Sequence, residues 1–583
     1  MADSGRGPAS GLDAATVAAL LVEIGRRLTL AGENPYKARS YSRAAASLST
    51  LVVPLAEAIR QGRLRELPGV GAALADTIER LHRDGTTAKL EALRAQVPAG
   101  ALDLLRVPGL KPQKILQLVE RLGIDGVEAL ERACREGRVA ADRKLGPALQ
   151  ASLLDGIALM RASEGLHLIH RAADLVAAAE AGLRAARPDL ARVVAAGDFR
   201  RGCELVRRMA LVAQAPERGI RRGGGTVEIW TTDAPRYGVA LLLATGSPEH
   251  VRGLQEQAAE KGFRLDEKGL FRGRRLVPCP EERDLYAALG LAFVEPELRE
   301  GRGELDLAAA GRLPNLVRDE DLRGLLHCHT VASDGGDTLE AMAEATRRRG
   351  YSYLGIADHS RSAAYAGGLS IAQVTAQQQE IDALNAAFDG AFRIFKGIES
   401  DILEDGSLDY PDEVLETFDF VVASVHGRFR LDERTQTARI VRAVENPFTT
   451  ILGHMTGRLL LRREGYRVDV EAVLRACAAN DVAVEVNANP HRLDLDWRWH
   501  ARALELGCRI SINPDAHSTD ELDLTRWGVL MARKGGVPAP SVLNASSAQE
   551  LDALFAARRA RRGRSGSPAR GLRRRSGRPP PRR

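Results

Sequence analysis

The chain has 583 residues, too many for one hydrophobic core, and at roughly 150 residues per domain we expect three or four domains. With 44% hydrophobic and 27% charged residues and no run near the roughly 18 uncharged apolar residues of a membrane span, it is predicted to be cytoplasmic, without a membrane partner. The net charge of +6 comes from residues 558–583, which hold twelve Arg and no acid; the rest carries −6, which excludes a basic field over the whole surface.

Three regions and a tail follow one another along the chain. Residues 1–160 show apolar spacing near 3.6 residues between Gly and Pro turns, which predicts short helices. Residues 161–318 mix Ala-rich helices with strand-like runs at 191–196, 209–212, 227–231 and 239–244, which predicts an α+β region. Residues 319–555 alternate strands and longer helices, as in a parallel βα barrel. In 556–583, Ser, Gly and Pro interrupt the Arg residues, which predicts a disordered basic tail.

Two similar turns lie near the N-terminus. They are Leu67-Pro-Gly-Val-Gly71 and Val107-Pro-Gly-Leu-Lys111, and each precedes a predicted helix. Glycine permits a tight turn, and the free N–H groups at a helix start can hold a phosphate oxygen without reading a base. The candidate DNA contacts are therefore Gly69, Gly71, Gly109 and Lys111. The alternative is an ordinary connection between helices.

Histidine and acidic residues gather near the ends of the predicted barrel strands. Seven strands are expected, at 324–329, 353–357, 393–398, 418–424, 450–452, 482–486 and 509–512. His327 and His329 are two residues apart on the first strand, so both imidazoles point to one side. Other candidates follow at Asp334, His359, Glu399, His426, His454, Asp515 and His517. Because the carboxyl ends of parallel strands meet at one face of a barrel, this set predicts a multinuclear metal site.

The N-terminal motif carries a resemblance to a known family. Residues 34–45, Asn-Pro-Tyr-Lys-Ala-Arg-Ser-Tyr-Ser-Arg-Ala-Ala, followed by Pro-Gly-Val-Gly, resemble the start of bacterial family X DNA polymerases. The likeness continues to about residue 550. It implies a helical domain that grips gapped DNA through helix-hairpin-helix motifs, with Lys37 and Arg39 as candidate phosphate contacts. The alternative for these two residues is exposed helix charge.

The same resemblance implies a nucleotidyltransferase-like palm and thumb over 161–318. In the family, a Gly-Ser-x-Arg-Arg-Gly turn cradles the triphosphate and three aspartates hold two Mg²⁺ ions. Aligned on Arg200-Arg201-Gly202, this chain has Asp198 in place of the serine, Arg208 and Ala210 in place of two aspartates, and Glu228 in place of the third. We therefore expect polymerase activity to be lost and the fold to be kept as a platform.

The C-terminal motifs resemble the polymerase and histidinol phosphatase (PHP) domain, a seven-stranded βα barrel with three metals. The likeness assigns His327, His329, Glu399 and Asp515 to one metal, Glu399, His426 and His454 to a second, and Asp334, His359 and His517 to a third. Imidazole and carboxylate ligands without cysteine suit manganese or zinc, with iron a further candidate. Arg458 is a candidate contact for the scissile phosphate, the alternative being a surface arginine.

These expectations favour a metal-dependent DNA phosphodiesterase, a 3′–5′ exonuclease or a nuclease that processes abasic sites and 3′ ends in DNA repair. Its expected partner is gapped, damaged or single-stranded DNA, and its expected location is the cytoplasm, on the nucleoid. One alternative is a phosphomonoesterase of the histidinol phosphatase type, which would have no use for duplex-binding hairpins. A second alternative is a non-catalytic DNA-binding repair scaffold, which would not need a complete ligand set. The metal, the DNA structure and the oligomeric state stay open.

Overall fold

The computed structural model describes residues 11–49, 51 and 54–565 of the chain. The chain divides into two compact units, one formed by residues up to 164 together with 461–463, and the other by residues 165–460 and 464 onward. Within the described ranges, no helix is both long enough and apolar enough to cross a membrane.

The first unit is helical, as the apolar spacing predicts. Its helices are α1 (Ala14–Leu30), α2 (Pro35–Ser49), α3 (Leu55–Arg60), α4 (Ala72–Asp84), α5 (Ala88–Gln96), α6 (Ala99–Leu104), α7 (Pro112–Leu122), α8 (Val127–Arg135), α9 (Arg138–Ala141) and α10 (Gly146–Ala162). Helix α1 buries Val17, Leu21, Ile24 and Leu28, which recur at three- and four-residue steps and so share one face. This stripe packs in the core that α1 shares with α2 and α4.

The two glycine turns have the same backbone conformation. Gly69 and Gly109 both have φ of +77°, in the left-handed region that glycine adopts without steric cost. In each turn the residue after that glycine donates a backbone hydrogen bond to the residue before the proline, at 3.1 and 3.2 Å. The turns lead directly into α4 and α7. The chain therefore contains two matching helix-turn elements, as the sequence predicts.

The second unit begins with a mixed region. Its elements are β1 (His167–Leu168), α11 (Ile169–Ala186), β2 (Ala191–Ala196), α12 (Gly197–Arg200), β3 (Leu205–Val206), β4 (Met209–Gln214), β5 (Arg221–Gly223), β6 (Val227–Thr232) and α13 (Tyr237–Thr245). A palm sheet forms in the order β2-β4-β6-β5, in which β4 is antiparallel to β2 and parallel to β6. The predicted strands at 191–196, 209–212 and 227–231 correspond to β2, β4 and β6.

The predicted strand at 239–244 is wrong, because these residues lie in α13. Nearly every side chain of this helix is buried, so its sequence shows neither the alternation of a strand nor the stripe of a surface helix. A short continuous apolar run does not distinguish a strand from a buried helix. The Leu and Ala residues that dominate the run favour the helix.

A smaller α+β region follows and leads to the barrel. Its elements are α14 (Pro248–Glu260), β7 (Arg264–Asp266), β8 (Gly269–Arg272), β9 (Arg275–Val277), α15 (Glu282–Ala288) and α16 (Glu304–Ala309). The three strands form an antiparallel sheet in chain order. Its buried charges are paired: the fully buried Arg299 contacts Glu282, and His250 contacts Glu304 at 2.6 Å.

All seven predicted barrel strands are present. Strands and helices alternate as β10 (Gly324–Cys328), α17 (Leu339–Arg348), β11 (Tyr353–Ile356), α18 (Ile371–Phe388), β12 (Arg393–Asp401), α19 (Asp412–Leu415), β13 (Phe420–Ser424), α20 (Glu433–Glu445), β14 (Ile451–Leu452), α21 (Val470–Ala479), β15 (Ala483–Asn487), α22 (His500–Leu506), β16 (Ile510–Asn513), α23 (Thr525–Lys534) and α24 (Ala548–Ser565). The strands are parallel and pair in chain order. A parallel bridge between Cys328 and Ala516 brings the first and last strands together, so the barrel is nearly closed.

The predicted disordered tail is wrong over 556–565, because α24 continues to its end at Ser565. Apolar side chains of this helix pack into the bottom of the barrel core. Arg558, only 9% exposed, donates to the backbone oxygens of Thr449 and Asp481 at 2.5 Å each. Arginine-rich composition does not reveal such anchoring. The rest of the predicted tail, 566–583, lies outside the described residues.

Buried polar contacts join the mixed region to the barrel within the second unit. Trp497 Nε1 donates to Glu204 at 3.0 Å, and Arg498 donates to the same carboxylate at 2.8 Å. Lys534 is buried, donates to the backbone oxygen of Arg201 at 3.0 Å and pairs with Glu300. The palm sheet and the barrel are therefore parts of one packed body.

Candidate metal centre

The nine residues predicted as metal ligands meet at the carboxyl end of the barrel strands. They form four overlapping groups, and in each group one possible ligand atom per residue lies within 4.8 Å of the others. The groups are His329, Asp334, His359 and His517; His327, His329 and Asp515; His327, Glu399 and His454; and His359, Glu399 and His426. Every predicted ligand belongs to at least one group.

Glu399 lies at the centre of the cluster. Its Oε1 is 3.3 Å from Nε2 of His327, and 3.0 Å and 3.3 Å from Nε2 of His454 and His426. Its Oε2 is 2.9 Å from Nδ1 of His359. The carboxylate is 1% exposed, at a position on β12 that directs it into the barrel mouth. One carboxylate that faces four imidazoles is suited to bridge two cations.

Asp515 and Asp334 differ in their exposure to solvent. Asp515 Oδ1 lies 3.2 Å from Nε2 of His329 and 3.7 Å from Nε2 of His327, and these groups are buried. Asp334 Oδ1 lies 3.3 Å from Nε2 of His517 and its side chain is 36% exposed. The cluster thus runs from a buried interior to a solvent-facing edge.

The resemblance implies three sets of ligands that share only Glu399, whereas the observed groups share several residues. Asp334, His359 and His517 do come together, with Asp334 Oδ1 3.6 Å from Nε2 of His359. However, His359 also contacts Glu399, and His329 lies 3.9 Å from Asp334. Adjacent groups therefore share ligands along the whole cluster.

Two ligand positions have strained backbones. His327 has φ of +61° and Asp515 has φ of +51°, in the left-handed region that non-glycine residues avoid. Such conformations cost about 1–3 kcal/mol each and concentrate at functional sites. Surrounding contacts, including the hydrogen bond from the N–H of His329 to the oxygen of Ala516 at 2.8 Å, hold this segment in place.

Two acids behind the ligands were not predicted from the sequence. Nδ1 of His327 donates to Glu485 at 2.6 Å, and Nδ1 of His426 donates to Asp401 at 2.7 Å. Such hydrogen bonds fix the orientation of an imidazole and leave its other nitrogen for a metal. Glu485 gave a usable signal, since it is an acid in the apolar strand β15. Asp401, at the end of β12, gave none beyond its strand-end position.

The donor set fits divalent cations. Nε2 of His327 and both ring nitrogens of His329 are buried and have no hydrogen-bond partner among the described residues. A buried polar atom left unsatisfied costs about 1–3 kcal/mol, which coordination would offset. Neutral imidazole and carboxylate are ligands that manganese, zinc and iron accept.

Protons and cations compete for these ligands. Burial alone would lower the pKa of His426, but Glu399 and Asp401 raise that pKa to about 10. Burial alone would raise the pKa of Glu399, but His426, His327 and His359 hold it well below its usual range. The cluster therefore attracts positive charge strongly, and metal binding must release protons from its imidazoles.

Arg458 is held by the loop after β15 rather than presented to the cluster. Its Nε donates to the backbone oxygen of Arg492 at 2.9 Å, its Nη1 pairs with Asp496 at 2.7 Å, and its Nη2 donates to the oxygen of Leu493. All three guanidinium nitrogens are thus engaged within the protein. Arg492 Nε instead lies 3.6 Å from Oδ2 of Asp515, a placement that sequence reasoning missed although the residue follows a strand end.

The palm positions assigned to catalytic acids lie together but lack acids at two of three places. Ala210 on β4 pairs in register with Glu228 on β6, and Arg208 immediately precedes β4. Glu228 is paired with Arg222 at 3.0 Å. Within the described part of the chain, every group of three possible metal ligands belongs to the barrel cluster.

The turn aligned with the triphosphate cradle is closed by its own residues. Asp198 accepts hydrogen bonds from the backbone N–H groups of Arg207 and Arg208 at 3.0 and 2.8 Å. Arg201 pairs with Asp198 and Glu300, both at 2.9 Å. Donors that could hold a phosphate are therefore committed to carboxylates.

The candidate DNA contacts lie on exposed surface of the first unit. Lys37 pairs with Glu33 at 2.7 Å, and the Arg39 guanidinium lies 5.4 Å from the ring centre of Tyr36, which is 74% exposed. The turn residues Gly69, Gly71, Gly109 and Lys111 are also exposed. Their contact with DNA stays a prediction.

Three family profiles match separate parts of the chain. A helix-hairpin-helix domain matches residues 13–87, a DNA polymerase beta thumb matches 240–300, and a PHP domain matches 326–489. They follow the order that the sequence predicts and confirm the predicted fold class, a helical domain, an α+β region and a PHP barrel.

One curated relative matches most of the chain, and others match about two fifths of it. A DNA polymerase/3′-5′ exonuclease PolX from Bacillus subtilis is 32% identical over 564 residues, which cover 92% of this chain and 98% of that protein. Probable phosphatases from Caldanaerobacter subterraneus and Vibrio parahaemolyticus are 26% and 27% identical over 38% and 39% of this chain, and 86% and 92% of their own lengths. From the full-length likeness and the three domain matches, the chain belongs to the PolX family of DNA polymerases and carries a C-terminal PHP domain.

Proposed function

We propose that this chain is a metal-dependent DNA phosphodiesterase that trims 3′ ends in DNA repair and no longer synthesises DNA. The observation that carries the proposal is the complete cluster of nine ligands at the barrel mouth. The name of the Bacillus subtilis relative, which includes a 3′-5′ exonuclease, supports the direction of cleavage.

We propose that the cluster binds three divalent ions, manganese or zinc and alternatively iron. His327, His329 and Asp515 would hold one, Glu399 would bridge to another held by His426 and His454, and Asp334, His359 and His517 would hold the third. Bound metals of this kind lower the pKa of water and stabilise the charge of a phosphoester transition state.

Residues around the cluster would orient the histidine ligands and neutralise the charge of the phosphate. Glu485 and Asp401 fix the rings of His327 and His426, so that each presents Nε2 to the cluster. Arg492, next to Asp515, supplies a guanidinium that can hold a phosphate oxygen, the role first considered for Arg458. No nucleophilic side chain is required.

Loss of polymerase activity follows from charge at the palm. Arg208 puts a cation, and Ala210 an apolar side chain, where two metal-binding acids are needed. Asp198 adds a carboxylate where triphosphate oxygens would lie, and the two negative charges would repel each other.

The helix-hairpin-helix elements would bind the DNA substrate. Exposed helix starts at Gly71 and Lys111 can bind backbone phosphates of gapped or damaged DNA regardless of sequence. Such binding would associate the protein with the nucleoid.

A phosphomonoesterase is the second candidate, because two relatives that match about two fifths of the chain are named probable phosphatases. The two candidates differ in the substrate that supports the higher kcat/KM. 5′-labelled single-stranded, gapped, 3′-phosphate and abasic DNA would be compared with histidinol phosphate in Mn²⁺. Stepwise shortening of DNA from the 3′ end is expected; hydrolysis of histidinol phosphate alone would overturn the proposal.

The polymerase question needs a barrel that cannot trim its product. Primer extension on gapped DNA would therefore use the Glu399→Gln variant, with an active family X polymerase as the positive control. We expect no templated incorporation. Robust extension by this variant would contradict the proposed loss of synthesis.

A further inference from the structure

Tyr365 is an exposed aromatic residue at the mouth of the cluster. Its side chain is 72% exposed, although tyrosine rings usually bury most of their apolar surface. The ring centre lies 6.2 Å from that of His359 and 6.4 Å from that of His426. The ring of Tyr365 therefore lies close to two proposed ligands and contributes little to the hydrophobic core.

The turn that carries Tyr365 is firmly anchored. It is a short 3-10 turn, Ala364–Ala366, in which Ala366 is buried, and it is preceded by the buried Ala363. Gly367 follows with φ of +68°, and a Cβ there would lie 3.2 Å from the oxygen of Ser333. The backbone that carries Tyr365 is therefore anchored, while the ring itself uses little of its surface for packing.

A second exposed apolar side chain lies on the adjoining loop. Val331, 54% exposed, follows the ligand segment of β10 and precedes Asp334 on the loop that Gly367 touches. This loop therefore exposes an aliphatic side chain two residues after the proposed ligand His329.

Charge at the mouth is divided in a way that suits a nucleotide. The carboxylates and imidazoles lie inside the cluster, and Arg492 lies beside Asp515. A phosphodiester would be held by the cations and this guanidinium, while an attached base would need a neutral, flat surface. Stacking of this kind accepts every base, because each has a π face.

We propose that Tyr365 is a binding platform for a nucleobase next to the scissile phosphate. The inference rests on the proposed DNA phosphodiesterase activity and names its substrate class more closely: a strand end whose nucleotide carries a base. Base stacking on an aromatic side chain is expected to be worth about tenfold in kcat/KM. A small phosphomonoester would gain no such advantage.

The test compares removal of a base from the DNA with removal of the aromatic ring of Tyr365 from the protein. Oligonucleotides would carry either a normal nucleotide or a base-free tetrahydrofuran residue at the terminal or the penultimate 3′ position. Their hydrolysis would be measured for the parent, Tyr365→Ala and Tyr365→Phe, with bound metal quantified in each. Ile371→Ala, which removes an apolar side chain that is 41% exposed at the start of α18, is the matched control.

We expect the parent, Tyr365→Phe and Ile371→Ala to prefer the base-bearing end by about tenfold at one of the two positions. Tyr365→Ala should lose this preference while retaining its metal and its rate on the base-free end. If Tyr365→Ala keeps the preference, or if the parent cleaves DNA with no preference at either position, the platform is wrong and the proposed function stands. If the parent cleaves no DNA, both fail.

Discussion

The palm sheet and the barrel mouth are two places where the family resemblance assigns metal ligands, and they differ in what surrounds those positions. At the barrel mouth, all nine positions hold donors, and Glu485 and Asp401 orient two of the histidines. On the palm sheet, Arg208 and Ala210 replace acids, and nearby carboxylates pair with arginines.

The difference teaches how to recognise a metal site without a bound metal. Carboxylates occur in both places, so their number does not decide the matter. Nε2 of His327 and both ring nitrogens of His329 are buried and lack hydrogen-bond partners among the described residues, whereas Asp198 and Glu228 accept hydrogen bonds from donors nearby. Unsatisfied donors and acceptors that converge, with acids behind them, indicate a site built for a cation.

The strongest way to break this contrast is Glu399→Gln. The substitution removes the charge that faces four histidines, so hydrolysis should fall at least about 10³-fold and bound metal should decrease. Rates and metal content by mass spectrometry check the prediction. Glu404→Gln, at an exposed acid paired with Arg428, is the control and should act like the parent. More than a tenth of the parental rate in Glu399→Gln would mean that the centre is misassigned.

The acid layer is tested by Glu485→Gln, with a smaller effect. The amide keeps the shape but weakens the hold on Nδ1 of His327, and changes of this kind cost about 10–100-fold in metal affinity or activity. Titration of the metal-free protein with Mn²⁺, followed by activity, would report the shift. An unchanged affinity would remove Glu485 from the site and weaken the contrast with the palm.

Arg458→Ala separates structure from chemistry. The guanidinium of Arg458 is bound to Asp496 and to two backbone carbonyls. We therefore expect the substitution to lower the free energy of unfolding by about 2 kcal/mol, while kcat of the folded protein changes less than about threefold. Circular dichroism melting and kinetics at a temperature where the variant stays folded would be compared. Normal stability with a hundredfold loss of kcat would restore the phosphate-contact role.

The smallest effect on turnover is expected from truncation after Ser565, which removes the seven arginines of 566–583 but keeps the anchored helix. Each phosphate that the tail neutralises adds about 0.9 to the slope of log K against log salt, so the slope should flatten by several units. Turnover on a saturating short oligonucleotide should not change. Superimposable salt titrations would exclude the tail as a DNA tether.

Most of the fold was predictable because its signals are local. Strand and helix alternation gave all seven barrel strands, and repeated Pro-Gly turns gave the matching helix starts. The errors arose where tertiary packing decides. The run at 239–244 is apolar on every side of its helix, and Arg558 in α24 donates to the backbone oxygens of Thr449 and Asp481, which are distant in the sequence.

The site was predictable to the level of residue type and strand end. The two-residue spacing of His327 and His329 indicated a pair of ligands, and the barrel fold places the other candidates next to them. The partners of a side chain were not predictable: Arg458 and Arg492 are both arginines near strand ends, and only the loop conformation decides which one reaches Asp515.

The contacts of Glu204 with Trp497 and Arg498, and of Lys534 with Arg201 and Glu300, join the mixed region to the barrel. These contacts do not involve Arg208 or Ala210, so the absence of acids at those two positions leaves them intact. Deletion of residues 165–318 would remove the Glu204 acceptor of Trp497 and would separate the ammonium of Lys534 from Arg201 and Glu300, a change that would cost several kcal/mol. Point mutations and truncations are thus filtered differently. A lineage can discard the old chemistry of such a domain while inheriting its bulk.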